Sequence, residues 1–391
     1  MTGACDECLR RALLLERLAP YIERVATGQA GQRSPELLAL DDKRLIRAVG
    51  GNRAGELLAE GRDPGRAGRV RRRAAAASCW TACPHGSAYP AALHDLGAEA
   101  PAALFGRGSI ALLDELDPAA AVTVVGARRA GTYGLAVAEQ LGRMLTRAAL
   151  VVVSGLANGI DSRAHRGALD GGGATIAVLG GGVDVPYPRR QAGLYRRIVD
   201  AGGAVVSELP PGAPSFRWCF PARNRIMAAL GGITVVVEAA ERSGSLITAE
   251  MALDLGRSVG AVPGPVNSWL SAGANQLLVD GAVPIRDAQD VLDHLIGAGS
   301  PSVRDLGPDL DPPLREILQC VESGRATCDA IALASEVPAH SAATALARLE
   351  LLGYVTSDHV GRYSRTTLRA PELVSGSWSP GSHMPCSSGC R

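Results

Sequence analysis

A short segment of this chain combines two arginines with an aromatic residue, since residues 220–225 read FPARNR. The planar guanidinium group of arginine forms paired hydrogen bonds with phosphate, and an aromatic face stacks on a nucleobase. Further along, Ser243, Gly244 and Ser245 precede a helical pattern that begins at Leu246. Small residues at the start of a helix leave backbone N–H groups that suit an anion. We therefore predict that a loop over residues 220–225 and this helix start bind a phosphate-bearing ligand.

Further arginines and a glycine turn extend the predicted site. Arg128 follows an apolar strand pattern, and Arg217 lies three residues before Phe220. Aromatic residues make up only 4% of the chain, so their concentration here favours base stacking combined with phosphate contacts, as in sequence-tolerant single-strand binding. The alternative is that Phe216, Trp218 and Phe220 alternate into a core while the arginines cap helices. The candidate DNA-binding residues are Arg128, Gly155, Arg217, Phe220, Arg223, Asn224, Arg225, Ser243, Gly244 and Ser245.

Common catalytic motifs are missing from the sequence. It contains no G-x-x-x-x-G-K-[ST] motif, which disfavours a P-loop ATPase, and no G-x-G-x-x-G follows the first predicted strand. Arg128 stands where a dinucleotide-binding fold has its second glycine. His165 lies one helical turn after Asp161, so we expect a structural contact between these two side chains. The sequence thus predicts a binding protein without a catalytic residue or a cofactor.

Alternating strand and helix patterns position these residues. Near-continuous apolar runs, rich in β-branched residues, predict buried strands of a parallel sheet with helices on both faces. The predicted strands are residues 122–125, 150–153, 175–179, 204–207, 233–237 and 259–262. The predicted fold class is α/β, with a doubly wound parallel Rossmann-like sheet whose ligand binds at the carboxyl ends of the strands.

Two smaller regions flank the predicted sheet. Leucines at helical spacing predict a helical N-terminal domain, and three short helices followed by a hairpin pattern resemble a winged helix near the C-terminus. The third of these helices carries Arg348 and Glu350, which favours a protein-contact or modest DNA role over groove reading. The predicted regions are residues 1–75 (N-terminal helical domain), 76–121 (connecting segment), 122–296 (Rossmann-like DNA-binding domain), 297–312 (linker), 313–370 (winged-helix-like domain) and 371–391 (disordered tail).

The length and charge of the chain limit its functional class. A net charge of +1 over 391 residues argues against a polycationic DNA coat and is compatible with a local basic groove. The sequence lacks a long uncharged apolar run and a secretory signal pattern, so we expect no membrane partner and a cytoplasmic location. Residues 61–73 carry six arginines. This segment forms either a solvated linker or helix face, or an auxiliary contact with nucleic acid.

Two groups of cysteines have spacings that deserve comparison with metal sites. Cys5-x-x-Cys8 and Cys79-x-x-x-Cys83-x-His85 could together supply four zinc ligands from two segments of the chain. The favoured interpretation is that they are buried or incidental thiols, because the first pair lies at a helix start and the second group lacks a C-x-x-C pair. The alternative metal ligands are therefore Cys5, Cys8, Cys83 and His85.

Five motifs follow one another between residues 122 and 295: VGAR (125–128), SGLANGID (154–161), FPARNRI (220–226), SGSLITAE (243–250) and AVPG (261–264). Together they resemble the DNA-processing protein A family, also called DprA or Smf. The resemblance implies a protein that binds and protects incoming single-stranded DNA, forms a homodimer and loads a RecA-type recombinase during natural transformation. Arg128 matches the family's arginine after the first strand, and Arg217 replaces a lysine that is often found before the aromatic. Ala127 stands where the family usually has Ser or Thr.

A second hypothesis comes from a different class of protein. Rossmann-like phosphoribohydrolases, which process nucleotides, carry a PGGxGTxxE motif with a glutamate on the helix after a glycine turn. Residues 243–250 resemble that motif in having Glu250 at a comparable position, but they lack its paired glycines. Release of a free base from nucleoside monophosphates would distinguish this enzyme from a DNA-binding protein.

Overall fold

The computed structural model describes residues 3–26, 34–60, 65–297, 307–366, 368 and 370. The chain divides into two compact units, residues 1–304 and residues 305–391. The N-terminal helices and the large sheet therefore belong to one unit, while the finer domain boundaries given above remain predictions. Among the described residues, no helix is both long and apolar enough to cross a membrane.

The N-terminal region is helical, as the leucine spacing predicts. Trp218, which belongs to the sheet region, donates from its indole Nε1 to the carbonyl oxygen of Ala19 at 3.0 Å and from its backbone N–H to Glu23 at 3.0 Å. One hydrophobic cluster includes Leu18 and Trp218, so these helices are packed against the sheet region. The helices are α1 (Asp6–Ala26), α2 (Ser34–Leu38), α3 (Asp42–Gly50), α4 (Ala54–Glu60) and α5 (Arg66–Ala76).

Most of the described part of the arginine-rich segment belongs to α5. Arg73 forms an ion pair with Glu16 of α1 at 2.7 Å, and Arg71 pairs with Asp6. Arg66 is buried. Contacts within the protein thus account for three of these arginines, in agreement with the helix-face interpretation, whereas Arg62 lies outside the described residues.

A nine-stranded sheet forms the centre of the first unit. Its spatial order is β1-β2-β6-β5-β4-β3-β7-β8-β9, and β3 lies in parallel between β4 and β7. All six predicted parallel strands are present, so the predicted α/β class with a doubly wound parallel sheet is confirmed. The strands are β1 (Trp80–Ala82), β2 (Leu104–Gly108), β3 (Ala121–Val125), β4 (Val151–Ser154), β5 (Thr175–Val178), β6 (Ala204–Ser207), β7 (Ile233–Val236), β8 (Ser258–Ala261) and β9 (Val283–Pro284).

Three outer strands of the sheet, β1, β2 and β9, were not predicted from the sequence. β1 and β2 extend the sheet in antiparallel fashion, with Phe105 of β2 opposite Ser207 of β6. β2 contains two glycines, and the indole of Trp80 lies over Gly106 where a Cβ atom would be only 2.0 Å away. The short β9 pairs with β8 through Val283. Glycine and proline in such short strands weaken the pattern that identifies a strand.

Helices cover both faces of the sheet. Neighbouring residues of β3 show this, since Val124 and Val125 belong to different hydrophobic clusters. A continuous apolar strand needs such a cover on each side. The helices of this region are α6 (Ala111–Asp114), α7 (Thr132–Arg147), α8 (Ile160–Asp170), α9 (Ala192–Asp200), α10 (Cys219–Leu230), α11 (Gly244–Asp254), α12 (Ala272–Val279) and α13 (Ala288–Leu295).

The second unit has the three helices and hairpin that the sequence predicts. Its helices surround one cluster that includes Leu318, Leu346 and Tyr354. Arg348 lies 3.4 Å from Asp311, and Glu350 accepts a hydrogen bond from Ser357, so part of the charge on the third helix is paired within the unit. The elements are α14 (Pro312–Glu322), α15 (Cys328–Ala334), α16 (Ala339–Leu351), β10 (Val355–Ser357) and β11 (Tyr363–Arg365). The predicted disordered tail lies outside the described residues.

Candidate nucleic-acid interface

A cavity of about 510 Å³ opens at the carboxyl ends of the parallel strands. Arg128 follows β3, Asp161 follows β4, Tyr187 follows β5 and Ser243 follows β7, so four strands deliver residues to one edge. This is the edge where ligands of open α/β sheets bind. Its lining residues are Val125, Gly126, Arg128, Ala157, Asp161, Tyr187, Arg217, Phe220, Pro221, Arg223, Asn224, Met227, Ser243, Gly244, Ser245, Ile247 and Thr248.

The FPARNR segment forms a helix, which corrects the predicted loop. α10 runs from Cys219 to Leu230, and Pro221 lies in its first turn, where the missing N–H of proline costs nothing. Residues two apart on an α-helix point about 200° away from each other. Arg223 and Arg225 therefore project from opposite faces of α10 and do not share one site.

Arg225 lies away from the cavity. Its Nη1 atom is 2.6 Å from Glu208 Oε2 and donates to the carbonyl of Ala222, while Nε donates to the carbonyl of Glu99 at 2.8 Å. Only 1% of the residue is exposed. The guanidinium group thus has a structural role between α10 and the neighbouring 3₁₀ segment Ala91–Glu99. The structure does not bring Arg225 to the predicted site.

Arg223 forms the floor of the cavity. Its Nη1 atom donates to the carbonyl of Gly155 at 2.6 Å and to the carbonyl of Val178, and its Nη2 atom lies 3.8 Å from Asp161. Burial, opposed by Asp161 and assisted by Arg128, lowers the pKa of Arg223 to about 10. The residue is therefore charged at neutral pH and places a fixed positive charge beneath the cavity.

Gly155 makes room for this guanidinium group. A Cβ atom at position 155 would lie 2.1 Å from Nη2 of Arg223, so only glycine fits there. The carbonyl of Gly155 bonds to Arg223, and Gly155 does not itself line the cavity. The predicted contribution of its backbone N–H to a phosphate site is therefore replaced by a role in seating Arg223.

An aromatic and cationic stack forms one wall of the cavity. The guanidinium carbon of Arg128 lies 5.1 Å from the ring centroid of Phe220, within the range of a cation–π contact. The ring of Tyr187 lies 5.3 Å from that of Phe220, tilted by 37°. Phe220 is half-buried, while Arg128, Tyr187 and Arg217 are exposed. Aromatic faces of the size of a base thus lie beside an exposed cation.

Trp218 follows the alternative interpretation of this segment. It is 3% exposed and belongs to the cluster shared with α1, together with the half-buried Phe216. Phe220 alone of these three aromatic residues lines the cavity. Tyr187 was missed by the sequence interpretation, although an aromatic between Pro186 and Pro188 in the loop after β5 lies at the carboxyl edge that was expected to bind ligand.

The N-terminus of α11 forms the opposite wall. Ser243 is its N-cap and accepts from the N–H of Ser245, and the two hydroxyl oxygens lie 2.7 Å apart. The side-chain amide of Asn224 donates to the carbonyl of Gly244 at 3.3 Å and ties α10 to this helix start. The hydroxyl of Thr248 is buried and has no hydrogen-bond partner among the described residues. Hydroxyl groups and the positive end of a helix dipole suit a phosphate.

The loop that carries Arg128 is held by Glu238. The backbone carbonyl of Glu238 accepts from the N–H of Ala127 at 2.7 Å, and its carboxylate accepts from the N–H of Gly131 at 2.8 Å. A Cβ atom at Gly134 would lie 2.5 Å from the same carboxyl group, so α7 approaches it closely. Glu238 therefore fixes the position from which Arg128 reaches Phe220.

The predicted contact between Asp161 and His165 is wrong. Asp161 instead faces Arg223 and accepts from the N–H of Ala157 at 3.4 Å. His165 lies 2.8 Å from the hydroxyl of Thr175, which itself donates to the carbonyl of Val152. The imidazole Nδ1 must therefore donate to Thr175. Its Nε2 is buried with no partner among the described residues.

The environment of His165 disfavours its charged form. Burial penalises the charged ring, and a hydrogen bond with the backbone of Ser154 opposes this effect only in part. Burial and the nearby charge of Arg223 lower the pKa of His165 to about 3. The histidine is therefore neutral. Its role is structural, as predicted, but its partner is Thr175 and not Asp161.

Residues that could hold a metal lie outside this cavity. The ligand atoms of Cys5, Cys8, Cys83 and His85 are all within 4.8 Å of one another. The structure thus brings together all four alternative ligands identified from the sequence.

The fold and this cavity define a Rossmann-like protein with an anion-binding edge that carries aromatic faces. A sequence model of the family described as DNA recombination-mediator protein A matches residues 80–296, which is more than half of the chain. The chain belongs to this family.

Known proteins of the family have related sequences and folds. A curated Mycobacterium tuberculosis protein of the DprA type is 42% identical over 249 residues, which are 62% of this chain and 64% of that protein. Protein Smf of Escherichia coli K12 is 37% identical over 269 residues, covering 66% of this chain and 70% of its own. The X-ray structure of DprA from Streptococcus pneumoniae superposes with a TM-score of 0.57 at 31% identity, covering 74% of this chain and 98% of that one. This chain thus spans less than two thirds of the M. tuberculosis relative.

Proposed function

We propose that this protein is a non-enzymatic DNA-processing protein that binds single-stranded DNA in the cavity at the carboxyl edge of its sheet. The observation that carries this proposal is the stack of Arg128 on Phe220, with Tyr187 against the same ring, in a cavity that the N-terminus of α11 also lines. A single strand presents unpaired bases and phosphates together, and this wall offers an aromatic face beside cations. A duplex keeps its bases stacked inside and would leave Phe220 unused.

The parts of the cavity have distinct roles in this proposal. Arg128 and Arg217 are exposed and neutralise backbone phosphates. The hydroxyl groups and backbone N–H groups of Ser243, Gly244 and Ser245 receive phosphate oxygens at the helix start. The buried charge of Arg223 adds attraction from below while its hydrogen bonds hold the strand ends. Phe220 stacks on a base, and Tyr187 widens that face.

The biological role follows from membership of the recombination-mediator family. We infer that the bound strand is protected and passed to a RecA-type recombinase in natural transformation, inside the cytoplasm. In an assay with single-stranded DNA covered by single-strand-binding protein, this chain should shorten the delay before recombinase filaments form. An unchanged delay, at protein concentrations that saturate the DNA, would contradict the loading role and leave DNA binding intact.

Homodimerisation is part of the same proposal. An exposed apolar side chain on the first unit supports it, since Val279 at the end of α12 is 79% exposed. Val279→Arg should lower the molar mass measured by light scattering from that of a dimer to that of a monomer. Val360→Arg changes an equally exposed valine of the other unit and should leave the mass unchanged. A monomeric wild-type chain at micromolar concentration would contradict the proposal.

A titration with single-stranded and blunt duplex oligonucleotides at two salt concentrations tests the central proposal. The single strand should bind more tightly at both, with little dependence on its sequence. Equal affinity for the two forms would overturn the proposal. The nucleotide-processing alternative is less well supported, because Glu250 is exposed and does not line the cavity. Release of free base from nucleoside monophosphates would revive it.

A further inference from the structure

Four potential metal ligands from two distant segments meet at the start of α1. Cys5 directly precedes α1 and Cys8 lies in its first turn, so their side chains share one face of the helix. Cys83 and His85 follow β1 in the turn that leads away from the edge of the sheet. The Nδ1 atom of His85 lies 3.5 Å from the Sγ of Cys5, 3.4 Å from that of Cys8 and 4.0 Å from that of Cys83.

These separations match the edges of a tetrahedral zinc site. Bonds of about 2.3 Å to sulfur and about 2.0–2.1 Å to nitrogen place tetrahedral ligands about 3.6 Å apart for S···N and about 3.8 Å apart for S···S. The three S···N distances around His85 straddle that value, and all four ligand atoms lie within 4.8 Å of one another. Three thiolates with one imidazole are a ligand set that zinc prefers in closed structural sites.

Hydrogen bonds of the surrounding backbone hold these ligands in position without the help of a metal ion. The N–H of Ala4 donates to the hydroxyl of Thr81 at 3.0 Å, which attaches the segment before α1 to β1. Arg71 of α5 donates to the carbonyl of Ala4 at 3.2 Å. The N–H of Cys5 donates to the sulfur of Cys83 at 3.4 Å, the kind of contact that stabilises a metal-bound thiolate.

We propose that Cys5, Cys8, Cys83 and His85 bind one structural zinc ion, which joins the start of α1 to the edge of the sheet. Binding releases the protons of the three thiols to solvent and leaves no open coordination position, so the site has no reaction of its own. The ion would thus attach the first turn of α1 to the sheet. The other end of α1 is attached separately, because Ala19 and Glu23 accept hydrogen bonds from Trp218, which follows Arg217 in the chain.

Metal analysis of the full chain, purified without a chelator, tests the proposal. It should contain about one zinc per chain. His85→Ala and Cys83→Ser should each reduce the zinc content to a small fraction of that value. His85 is exposed, so its replacement tests the ligand without emptying a core position. Cys79→Ser is the matched control, because Cys79 donates to the carbonyl of Ala77 and is not part of the cluster; it should keep its zinc.

Cobalt substitution reports the ligands directly. The reduced wild-type chain loaded with Co²⁺ should show the thiolate-to-metal charge-transfer absorption of a tetrahedral site, which Cys83→Ser should weaken and Cys79→Ser should leave unchanged. Wild-type protein that neither contains zinc nor takes it up under reducing conditions would overturn the proposal. So would full zinc retention in a folded His85→Ala variant, or a disulfide between two of these cysteines in the purified chain.

Discussion

Arg223 and Arg225 lie in the interior of the protein, whereas Arg128 and Arg217 lie at its surface, although all four were predicted to contact DNA together. The buried pair is 6% and 1% exposed, and its guanidinium groups bond to backbone carbonyls and to Asp161 or Glu208. The exposed pair borders the cavity with its guanidinium groups accessible. The arginines of one predicted site thus divide into a scaffold group (Arg223 and Arg225) and a contact group (Arg128 and Arg217).

The number of arginines in such a motif therefore does not give the number of phosphate contacts. Burying a guanidinium group is costly unless its donors find acceptors, and here backbone carbonyls together with Asp161 or Glu208 supply them. A scaffold arginine should affect the free energy of unfolding when it is replaced. A contact arginine should affect DNA affinity and its dependence on salt.

The largest expected effect concerns Arg225. Arg225→Ala leaves the buried carboxylate of Glu208 without its partner, which costs about 3–5 kcal/mol in the free energy of unfolding. Denaturant unfolding followed by tryptophan fluorescence measures this loss. The folded fraction should bind single-stranded DNA like the wild type, because Arg225 lies outside the cavity. A variant of normal stability with weakened DNA binding would place Arg225 in the contact group.

A smaller effect involves His165, which lies beside the scaffold charge of Arg223. Its pKa is about 3 in the folded protein and 6.5 is its ordinary value, so between these values only the unfolded chain takes up the proton. Stability is therefore complete above pH 6.5 and falls as the pH is lowered, by about 2–3 kcal/mol at pH 4.5.

Unfolding curves at several pH values test this linkage. His165→Gln removes the titrating group, so the free energy of unfolding of this variant should change less with pH than that of the wild type over the same range. Equal pH dependence in the two proteins would show that His165 is not responsible. Arg128→Ala serves as the comparison from the contact group and should retain the wild-type pH dependence.

Phe220 belongs with the contact group. Phe220→Ala removes a stacking face worth about 1–3 kcal/mol of single-strand affinity, with little dependence on salt because no charge changes. Fluorescence anisotropy with a labelled oligonucleotide measures the loss, and Phe220→Trp should keep most of the affinity. Phe220→Ala protein that melts several degrees early, with normal DNA affinity in its folded fraction, would instead assign Phe220 to the core.

The smallest effect is a change of slope. Arg128→Ala should lower the slope of log affinity against log salt by about 0.7, the value for one phosphate contact on a single strand. Arg129→Ala changes the adjacent exposed arginine, which does not line the cavity, and should alter the slope less. Identical slopes for Arg128→Ala and wild type would remove Arg128 from the contact group.

The parallel sheet could be predicted from the sequence because its strands are buried on both faces and therefore continuously apolar. β7 shows this, since all four of its residues are buried. The strand β2, next to the edge of the sheet, could not be recognised, because two of its five residues are glycine. The carboxyl edge as a binding site followed from the fold and stays a prediction, and Arg128, Phe220 and Ser243 line one cavity at that edge.

The different roles of Arg223 and Arg225 could not be predicted, because they depend on the directions in which α10 points these two side chains. The aromatic and proline at its start suggested a loop, whereas proline is favourable in a first helical turn. Once α10 is a helix, the opposite directions of Arg223 and Arg225 follow from its geometry. The partner of His165 could not be predicted, because Thr175 reaches it only through the pairing of β4 and β5.

The hydrogen bonds from Trp218 to α1 have a consequence for any shortened form of this protein. The family match begins at residue 80, so a fragment trimmed to that match would keep every residue of the cavity and lose Ala19 and Glu23. The indole of Trp218 would then be exposed to water, next to other apolar side chains of the same cluster that lose their cover. Such a surface favours aggregation. The smallest soluble fragment that binds DNA is therefore expected to begin before α1 and not at the first strand.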